Sequence, residues 1–343
     1  MRLRFHSPKA VARRLASGAL TLFSGKRRIG SAGLSMALGL AALVCAAQNG
    51  PEPKDDVRAI RTHNKSVLVG PEGEPFDMPS DAAVGTDGVL YVLDGVNHCV
   101  AAYDAEGKFR FRFGGRGSGP GQLLFPLGIA TAPDGKVYVA DSGNHRFGVF
   151  AGDGTPLEAV LLPVPVSGTP PDPTDVVIDP IRERLYVTDN DNHRLLVYSL
   201  ATRKFESVWG GPGQGQRQFR FPFLIDISPD GYVFVAEPIN TRVQVLNPNG
   251  KFVKFIGAWG VKPGQLFRPK GVAIFGDRVF VTDSYLGSVQ VFDLSGGFLG
   301  VLADETGVPM RFITPTGITV DPKRRSLYVV ELKANRVCRV DLE

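Results

Sequence analysis

Acidic side chains are absent from the first 50 residues, although the 343-residue sequence has 34 of them. Eight of the 39 Lys and Arg residues lie in this segment, which leaves 31 basic against 34 acidic side chains in residues 51–343. The net charge of +5 therefore belongs to the N-terminal segment. The rest of the chain lacks the basic excess expected of a surface that binds nucleic acid phosphates. We expect no nucleic acid partner.

An apolar run of transmembrane length is also missing. Residues 32–47 run 16 residues without a charge, whereas a membrane helix needs about 20 apolar residues. The run follows the basic residues 26–28, as the core of a signal peptide does. We therefore predict a signal or targeting segment over residues 1–47 and a polar linker over residues 48–65. The expected location is outside the cytoplasm: the periplasm, the cell envelope or the exterior, with membrane contact only through the N-terminal segment.

Three processing routes remain open for this segment. Cleavage after Ala46 or Ala47 would release a soluble product. The residues Ala42 to Cys45 resemble a bacterial lipobox, in which Cys45 would be lipidated, although Val44 stands where a small residue is usual. An uncleaved segment would anchor the chain or act as an organelle transit peptide, because it is rich in arginine and free of acids.

Glycine and proline are abundant, with 41 and 26 residues, and they accompany an internal repeat. Six segments of the form Leu/Val-Tyr/Phe-Val-x-Asp/Glu recur along the chain, and a proline precedes each acidic residue by 14 to 16 positions. The acidic residues lie 46 to 48 positions apart: Asp94, Asp141, Asp189, Glu237, Asp283 and Glu331. Repeats of this length are typical of propellers and solenoids.

Within each repeat the apolar residues alternate, and Asp-Gly, Asn-Gly and Pro-Asp turns separate the runs, as in β-hairpins. Four antiparallel strands per repeat describe a propeller blade. We therefore predict an all-β fold, a six-bladed β-propeller of four-stranded antiparallel blades over residues 66–343. The last repeat ends in its third strand, so residues 66–69 are expected to supply the fourth strand and close the ring. Deletion of residues 57–70 should then destabilise the domain severely.

The repeats resemble the NHL family over about 280 residues. The family pattern Asp-x-x-Asn-His-Arg stands at residues 141–146 and 189–194, and a glycine-rich linker that ends in Pro-Gly-Gln stands at residues 114–122 and 257–265. The resemblance implies a six-bladed propeller, and it implies that the glycine-rich loops connect blades. Some families of similar fold are amidating lyases or calcium-dependent lactonases, and some NHL propellers bind RNA.

The repeated acidic residues are interpreted as structural. Each is expected to pair with the arginine five positions later or to accept backbone N–H bonds at the turn. The arginine is present in four repeats: Arg146, Arg194, Arg242 and Arg336. Cys99 and Ser288 replace it in the first and fifth repeats.

Three further patterns are weak as sites. His98, His145 and His193 share one repeat position, but equivalent residues of different blades lie too far apart to bind one zinc ion. Residues 115–119 imitate a phosphate-binding loop, but no helical pattern follows them. Cys99 and Cys338 are expected to remain free thiols, because their equal strand parity points them the same way around the ring.

The asymmetric residues of the innermost strands are the candidate ligand site. Asp81 and Asp175 are carboxylates where other repeats have a small or apolar residue, and Asp226 and Lys270 add charge nearby. Innermost strands line the central channel, so a small ligand could bind at its mouth. Carboxylates and water would suit a hard cation such as calcium, although no cofactor is otherwise indicated. The structural alternative is that these groups are solvated or cap turns.

No Ser-His-Asp set, Cys-His set or converging histidines can be recognised. The sequence therefore favours a non-enzymatic, monomeric binding or scaffold module for a protein, peptide or glycan. The alternative is a propeller enzyme of the lyase or lactonase type with a metal at the channel mouth, and RNA binding is a third. The fold alone does not decide among them.

Overall fold

The computed structural model describes residues 58–166 and 169–343. The predicted targeting segment over residues 1–47, including Cys45, lies outside the described residues, as does the linker up to residue 57. The described residues form 24 strands and two short 3₁₀ helices, Ser142–Asn144 and Leu332–Ala334. No helix among them is long and apolar enough to cross a membrane.

The described part of the chain begins with a long strand, β1 (Ala59–Leu68), which is followed by repeated four-stranded meanders. The first two are β2 (Pro79–Val84), β3 (Leu90–Asp94), β4 (Cys99–Tyr103) and β5 (Phe109–Gly114); then β6 (Gly128–Thr131), β7 (Val137–Asp141), β8 (Arg146–Phe150) and β9 (Pro156–Leu161). The next two are β10 (Pro173–Asp179), β11 (Arg184–Asp189), β12 (Arg194–Ser199) and β13 (Phe205–Gly210); then β14 (Ile225–Ile227), β15 (Val233–Glu237), β16 (Arg242–Leu246) and β17 (Phe252–Ile256).

The remaining strands follow the same order along the chain but join β1 in a single sheet. They are β18 (Pro269–Phe275), β19 (Arg278–Asp283), β20 (Ser288–Asp293), β21 (Phe298–Ala303), β22 (Pro315–Asp321), β23 (Ser326–Glu331) and β24 (Arg336–Leu342). The strand order of this eight-stranded sheet is β18-β19-β20-β21-β1-β24-β23-β22.

The all-β propeller class is confirmed, but the predicted count of six separate blades is wrong. The structure has four blades of four strands each, and the other eight strands form one sheet. The reason is the length of β1, which begins at Ala59 rather than at the expected Ser66. Its first three residues pair in parallel with β21, and its later residues pair antiparallel with β24. The expected pairing is present from Ser66 to Leu68, opposite Arg339 to Val337.

The innermost strands form a closed ring, because β2, β6, β10, β14, β18 and β22 each contact the next and β22 contacts β2. Each of them is the end strand of its sheet or of the joined sheet, so one edge of each faces the centre. The second strands β3, β7 and β15 are buried along their whole length, because both of their faces pack against neighbouring strands. The hydrophobic core is divided among these contacts, with Val92, Val139 and Val187 fully buried.

Two ends of the ring can be distinguished. Connections between successive units, and the turns after each repeated acidic residue, lie at one end, which we call the loop face. Hairpin turns that join the first strand of a unit to its second, such as residues 132–136 and 179–184, lie at the opposite end, which we call the turn face.

Candidate functional site

The repeated acidic residues organise the turns of the loop face. In the second unit, Asp141 Oδ2 accepts hydrogen bonds from Arg146 Nε at 2.7 Å and from Asn144 Nδ2 at 2.8 Å, and Asp141 Oδ1 accepts one from Leu124 N at 2.7 Å. The carboxylate thus connects its own turn to the chain segment that enters the same unit. The arginine pairs expected from the sequence are present in all four repeats that have them, each at 2.7 Å.

The paired arginines also hold the connections between units. Arg146 donates from Nη1 to Ser118 O at 3.0 Å and from Nη2 to Gln122 O at 2.7 Å. Arg242 donates in the same way to Gln214 O at 2.7 Å. The glycine-rich segments therefore act as structural linkers, and the resemblance of residues 115–119 to a phosphate loop has a structural explanation.

Removal of one of these arginines should be strongly destabilising. Asp189 is fully buried, so Arg194→Met would leave its carboxylate without its ion-pair partner. We expect a loss of about 3 kcal/mol in the free energy of unfolding, measured by urea unfolding. Lys136→Met is the matched control, because its pair with Asp134 is solvent-exposed and should contribute less than about 1 kcal/mol. Equal effects of the two changes would contradict the structural role.

The two units without the arginine satisfy the carboxylate differently. Asp94 accepts from Asn97 Nδ2 at 2.9 Å and from Asp77 N at 2.9 Å. Asp283 accepts only backbone N–H bonds, four in number, from Phe267, Arg268, Tyr285 and Leu286. Both interpretations made from the sequence, ion pair and turn cap, therefore occur in the same repeat position.

The repeat histidines connect neighbouring units and do not converge. His98, His145 and His193 each have a φ of 57°, the left-handed conformation that ends the turn. His98 Nδ1 accepts from Phe125 N at 2.9 Å, and His193 Nδ1 accepts from Phe221 N at 3.1 Å. His145 Nδ1 lies 2.6 Å from Pro171 O. Each histidine thus bonds the backbone of the next unit, and none of the three is available to a shared ion.

The two described cysteines are buried free thiols. Burial raises the pKa of Cys99 to about 12 and that of Cys338 to about 11. A thiolate is therefore disfavoured at both positions near neutral pH, which gives these residues a packing role.

A central cavity of about 390 Å³ brings together three of the four candidate ligand residues. Asp81, Asp175 and Asp226 line it, and it extends to the turn face, where Ile181 also lines it. Each carboxylate accepts a hydrogen bond from a backbone N–H of the next innermost strand. The donors and distances are Ile129 N to Asp81 at 3.1 Å, Ile225 N to Asp175 at 2.7 Å and Ile274 N to Asp226 at 2.7 Å. The carboxylates thus satisfy donors at the free edges of these strands.

Burial changes the protonation of this group. It raises the pKa of Asp81 to about 8, that of Asp226 to about 7 and that of Asp175 well above its usual value. The charge of Asp81 raises the pKa of Asp175 further. Backbone hydrogen bonds oppose these shifts but do not cancel them. Burial therefore favours the protonated form of these carboxyl groups near neutral pH.

The glycines that neighbour the cavity aspartates are required for steric reasons. A Cβ on Gly128 would lie 2.5 Å from the Cα of Asp175, and a Cβ on Gly317 would lie 2.5 Å from the Cα of Asp81. Neighbouring innermost strands therefore approach too closely at this level for two side chains. One of each pair must be glycine.

Lys270 lies apart from the three aspartates. It precedes Gly271 on the loop-face side, and it does not line the cavity. Its half-buried Nζ lies 4.0 Å from the centre of the Phe223 ring, a cation–π contact. Burial, followed by the nearby charge of Arg268, lowers the pKa of Lys270 to about 8. The sequence grouped the four residues, whereas the structure places them in two environments.

The loop face also exposes large apolar side chains that the sequence analysis missed. Trp259 is 71% exposed, and Ile313, Ile239 and Tyr285 are 53%, 49% and 46% exposed. They lie on the unit connections and the turns after the repeated acids. The available signal was that Ile239 and Tyr285 are large apolar residues at the repeat position that Gly143 and Asp191 occupy in the second and third repeats.

Within residues 58–166 and 169–343, no group of three or more His, Cys, Asp or Glu side chains could hold a metal ion. The three cavity aspartates lie on different innermost strands, and each carboxylate accepts backbone N–H bonds. These N–H bonds occupy carboxylate lone pairs that the calcium ion considered from the sequence would need.

Comparison with known proteins agrees with the fold. The sequence pattern of the NHL repeat matches residues 76–103 and 123–150. Protein SUPPRESSOR OF QUENCHING 1 of Arabidopsis thaliana is 24% identical over 274 residues, which are 66% of this chain and 26% of that protein. Peptidylglycine alpha-amidating monooxygenase of Rattus norvegicus is 27% identical over 183 residues, 47% of this chain and 18% of that protein. The chain thus spans about a quarter or less of these curated relatives.

Among solved structures, a gluconolactonase from Xanthomonas campestris superposes with a TM-score of 0.63 at 14% identity, covering 85% of this chain and 97% of that one. A likeness at this identity supports the fold alone. The repeat pattern, the four-stranded meanders and the ring of innermost strands agree with it. The chain is a β-propeller that contains NHL repeats.

Proposed function

We propose that this propeller is a non-enzymatic, monomeric binding or scaffold module that presents its loop face to a protein, peptide or glycan. The observation that carries the proposal is the set of exposed apolar side chains on that face, led by Trp259 at 71% exposure. Exposed aromatic and branched side chains grouped on one face of a soluble domain mark an interaction surface.

The polar residues of the repeat support this proposal, because their side chains form hydrogen bonds within the propeller. The buried repeat acids bond turns, arginines and entering chain segments, and the repeat histidines bond neighbouring units. The remaining described histidine, His63, contacts Glu343 at 3.3 Å. No hydrogen bond joins a histidine ring of the described chain to a serine or cysteine side chain.

The proposed location is outside the cytoplasm. It rests on the sequence of residues 1–47, in which a basic, acid-free stretch precedes an apolar core. Soluble, lipid-anchored and membrane-anchored forms are separated by fractionation of cells that express the full chain with and without Cys45→Ser. Recovery of the chain in the cytoplasm would contradict the proposed location.

Site-specific photocrosslinking tests the loop face directly. A benzoylphenylalanine at position 259 in the full chain should give a discrete adduct with a partner in cells. Position 181 is the matched control, because Ile181 is also 71% exposed but lies on the turn face. The same adducts at both positions, or none at position 259, would contradict the proposal.

The second candidate is a propeller enzyme of the lyase or lactonase type. The central cavity favours it, because three carboxyl groups with raised pKa values line one 390 Å³ space. A relative named as an amidating monooxygenase and a structural neighbour named as a gluconolactonase agree with this candidate. It requires a cation at the carboxylates, so calcium should raise the melting temperature at pH 8, and Asp175→Asn should abolish the rise. The binding module predicts no rise.

A further inference from the structure

The charge of the loop face is strongly uneven. The connections over residues 210–223 and 257–270 contain no acidic residue. They carry five cations: Arg217, Arg220, Lys262, Arg268 and Lys270. The corresponding connection over residues 69–79 has the opposite character, with three acidic residues and no Lys or Arg. The five cations, together with Trp259 and Tyr285, are called the basic loop surface below.

Lys270 is the most constrained of these cations. It is half-buried beside Phe223, and no hydrogen-bond acceptor contacts its Nζ within the described chain. Its own carbonyl accepts from Leu224 N at 3.3 Å, so the backbone is fixed between two units. A partly buried ammonium group whose N–H donors have no acceptor is energetically unfavourable. An anion placed there would receive its hydrogen bonds.

Arg268 has a fixed backbone and a free side chain. Its N–H donates to Asp283 Oδ2 at 3.0 Å, and its carbonyl accepts from Ser284 N at 3.0 Å. The exposed guanidinium has no partner in the described residues. It lies close enough to Lys270 to lower the pKa of that ammonium. Two cations that repel each other in the free protein would both gain from one shared anion.

Aromatic rings adjoin these cations. Tyr285 stacks on Phe267 with ring centres 4.1 Å apart and an angle of 30° between the rings. Trp259 stands exposed on the same connection as Arg268. Phe221, which is 41% exposed, packs edge-on against His193. A partner must therefore supply both negative charge and apolar side chains.

The surface is bounded by acidic residues, which favours a short anionic segment over a nucleic acid. Asp172 and Asp191 lie on the preceding unit, and Asp304 and Glu305 lie on the following connection. An extended phosphate backbone that crossed the five cations would approach these carboxylates on either side. A peptide can place two or three carboxylates between them and apolar side chains on the rings.

We propose that the basic loop surface binds an acidic, apolar peptide segment of a partner protein, and that a carboxylate of this segment bridges Lys270 and Arg268. The inference rests on the proposed function and deepens it by naming the chemistry of the partner. Charged hydrogen bonds would anchor the carboxylate, while Trp259 and Tyr285 contact its apolar neighbours.

Fluorescence titration with defined peptides tests the inference. The probe is an acetylated, amidated peptide Glu-Phe-Glu-Leu-Asp, and its Gln and Asn counterpart is the uncharged control. Trp209 is 7% exposed, so changes in tryptophan emission report mainly on Trp259. The acidic probe should bind the full-length protein with a Kd below about 1 mM. Its affinity should fall as salt is raised.

Two variants locate the carboxylate. Lys270→Met and Arg268→Gln should each weaken binding of the acidic probe at least about fivefold, and together more than about tenfold. Lys270→Met should not lower the melting temperature, because it removes a half-buried ammonium without an acceptor. Lys251→Met is the matched control on the turn face, where Lys251 is an exposed cation, and it should leave the affinity unchanged.

Several results would overturn the inference. They are absence of binding by the acidic probe up to about 1 mM, equal binding of the uncharged peptide, and an equal effect of Lys251→Met. If a single-stranded RNA of about 10 nucleotides binds more tightly than the peptide, the inference is also overturned. If the adduct at position 259 persists in the Lys270→Met and Arg268→Gln variants, the inference fails and the proposed function stands. If no adduct forms in the unmodified protein, the proposed function itself fails.

Discussion

Deletion of residues 57–70 is expected to lower the free energy of unfolding by several kcal/mol, on the order of 5. The deletion removes β1, which pairs with both β21 and β24. It would expose two strand edges at once. It would also remove Ile60, which packs against the buried cluster that contains Leu302 and Cys338, and the bond from the Thr62 hydroxyl to Ala303 O at 2.8 Å.

A graded series separates the two pairings of β1. Replacement of residues 59–61 by a Gly-Ser segment keeps the antiparallel ladder with β24 and disturbs the parallel one with β21. Its loss of stability in guanidinium unfolding should be less than half that of the deletion. The same replacement at residues 304–306, an exposed turn, is the control. An unchanged melting temperature in the deletion would contradict the closure of the ring by β1.

The three cavity carboxylates should make the protein less stable as the pH rises from about 4 to about 8. In the unfolded chain these groups ionise near the ordinary aspartate pKa of 3.8, whereas in the folded protein the pKa of Asp81 is about 8 and that of Asp226 about 7. Between these values the folded state retains protons that the unfolded state has released. Unfolding then releases protons, and each carboxyl can contribute a slope of up to about 1.4 kcal/mol per pH unit.

Asp226→Asn isolates this contribution from other titrating groups. His98 has a pKa lowered by burial, and it contributes a slope of opposite sign as the pH rises toward the ordinary histidine pKa. The difference between variant and parent is therefore the useful quantity. Asparagine keeps an acceptor for Ile274 N but cannot ionise. Relative to the parent, the variant should gain about 1–3 kcal/mol between pH 5 and pH 8, measured by urea unfolding at each pH.

The control for this experiment is Asp304→Asn, because Asp304 has a lowered pKa and caps its own turn. Its difference from the parent should not change over the same pH range. A pH-independent difference for Asp226→Asn would show that the cavity carboxyl is already ionised at pH 5. The description of Asp226 as protonated in the folded state at that pH would then be wrong.

Local chemistry made most of the fold predictable. Alternating apolar residues and Asp-Gly turns are short-range signals, so the strands around Asp141 and Asp189 follow from the residues beside them. The arginine five positions after the acid is equally local, because both side chains lie at the ends of one hairpin. The pairing of Ser66 to Leu68 with the last strand was also predictable, since the final repeat lacks its fourth strand.

The candidate site was less predictable, because Asp81 and Asp175 stand only one repeat position from Lys270 but meet different surroundings. Two consecutive positions of an innermost strand therefore differ, because one side chain lies at the loop-face end and the next lines the central cavity. The exposed apolar group around Trp259 was missed because it also depends on contacts between repeats. Its members come from connections and turns far apart in sequence, and only their shared face relates them.

By itself, the sequence determined the repeat, its all-β class, the structural use of the acidic residues and arginines, and the uneven distribution of charge, because each depends on residues within one repeat. The tertiary structure decided what depends on contacts between repeats. It extended β1 back to Ala59, where three more residues join β21 and merge two units into one sheet. It also buried three carboxylates against the backbone of neighbouring strands and left Lys270 beside Phe223. Ring geometry sets these distances, and local sequence does not encode them.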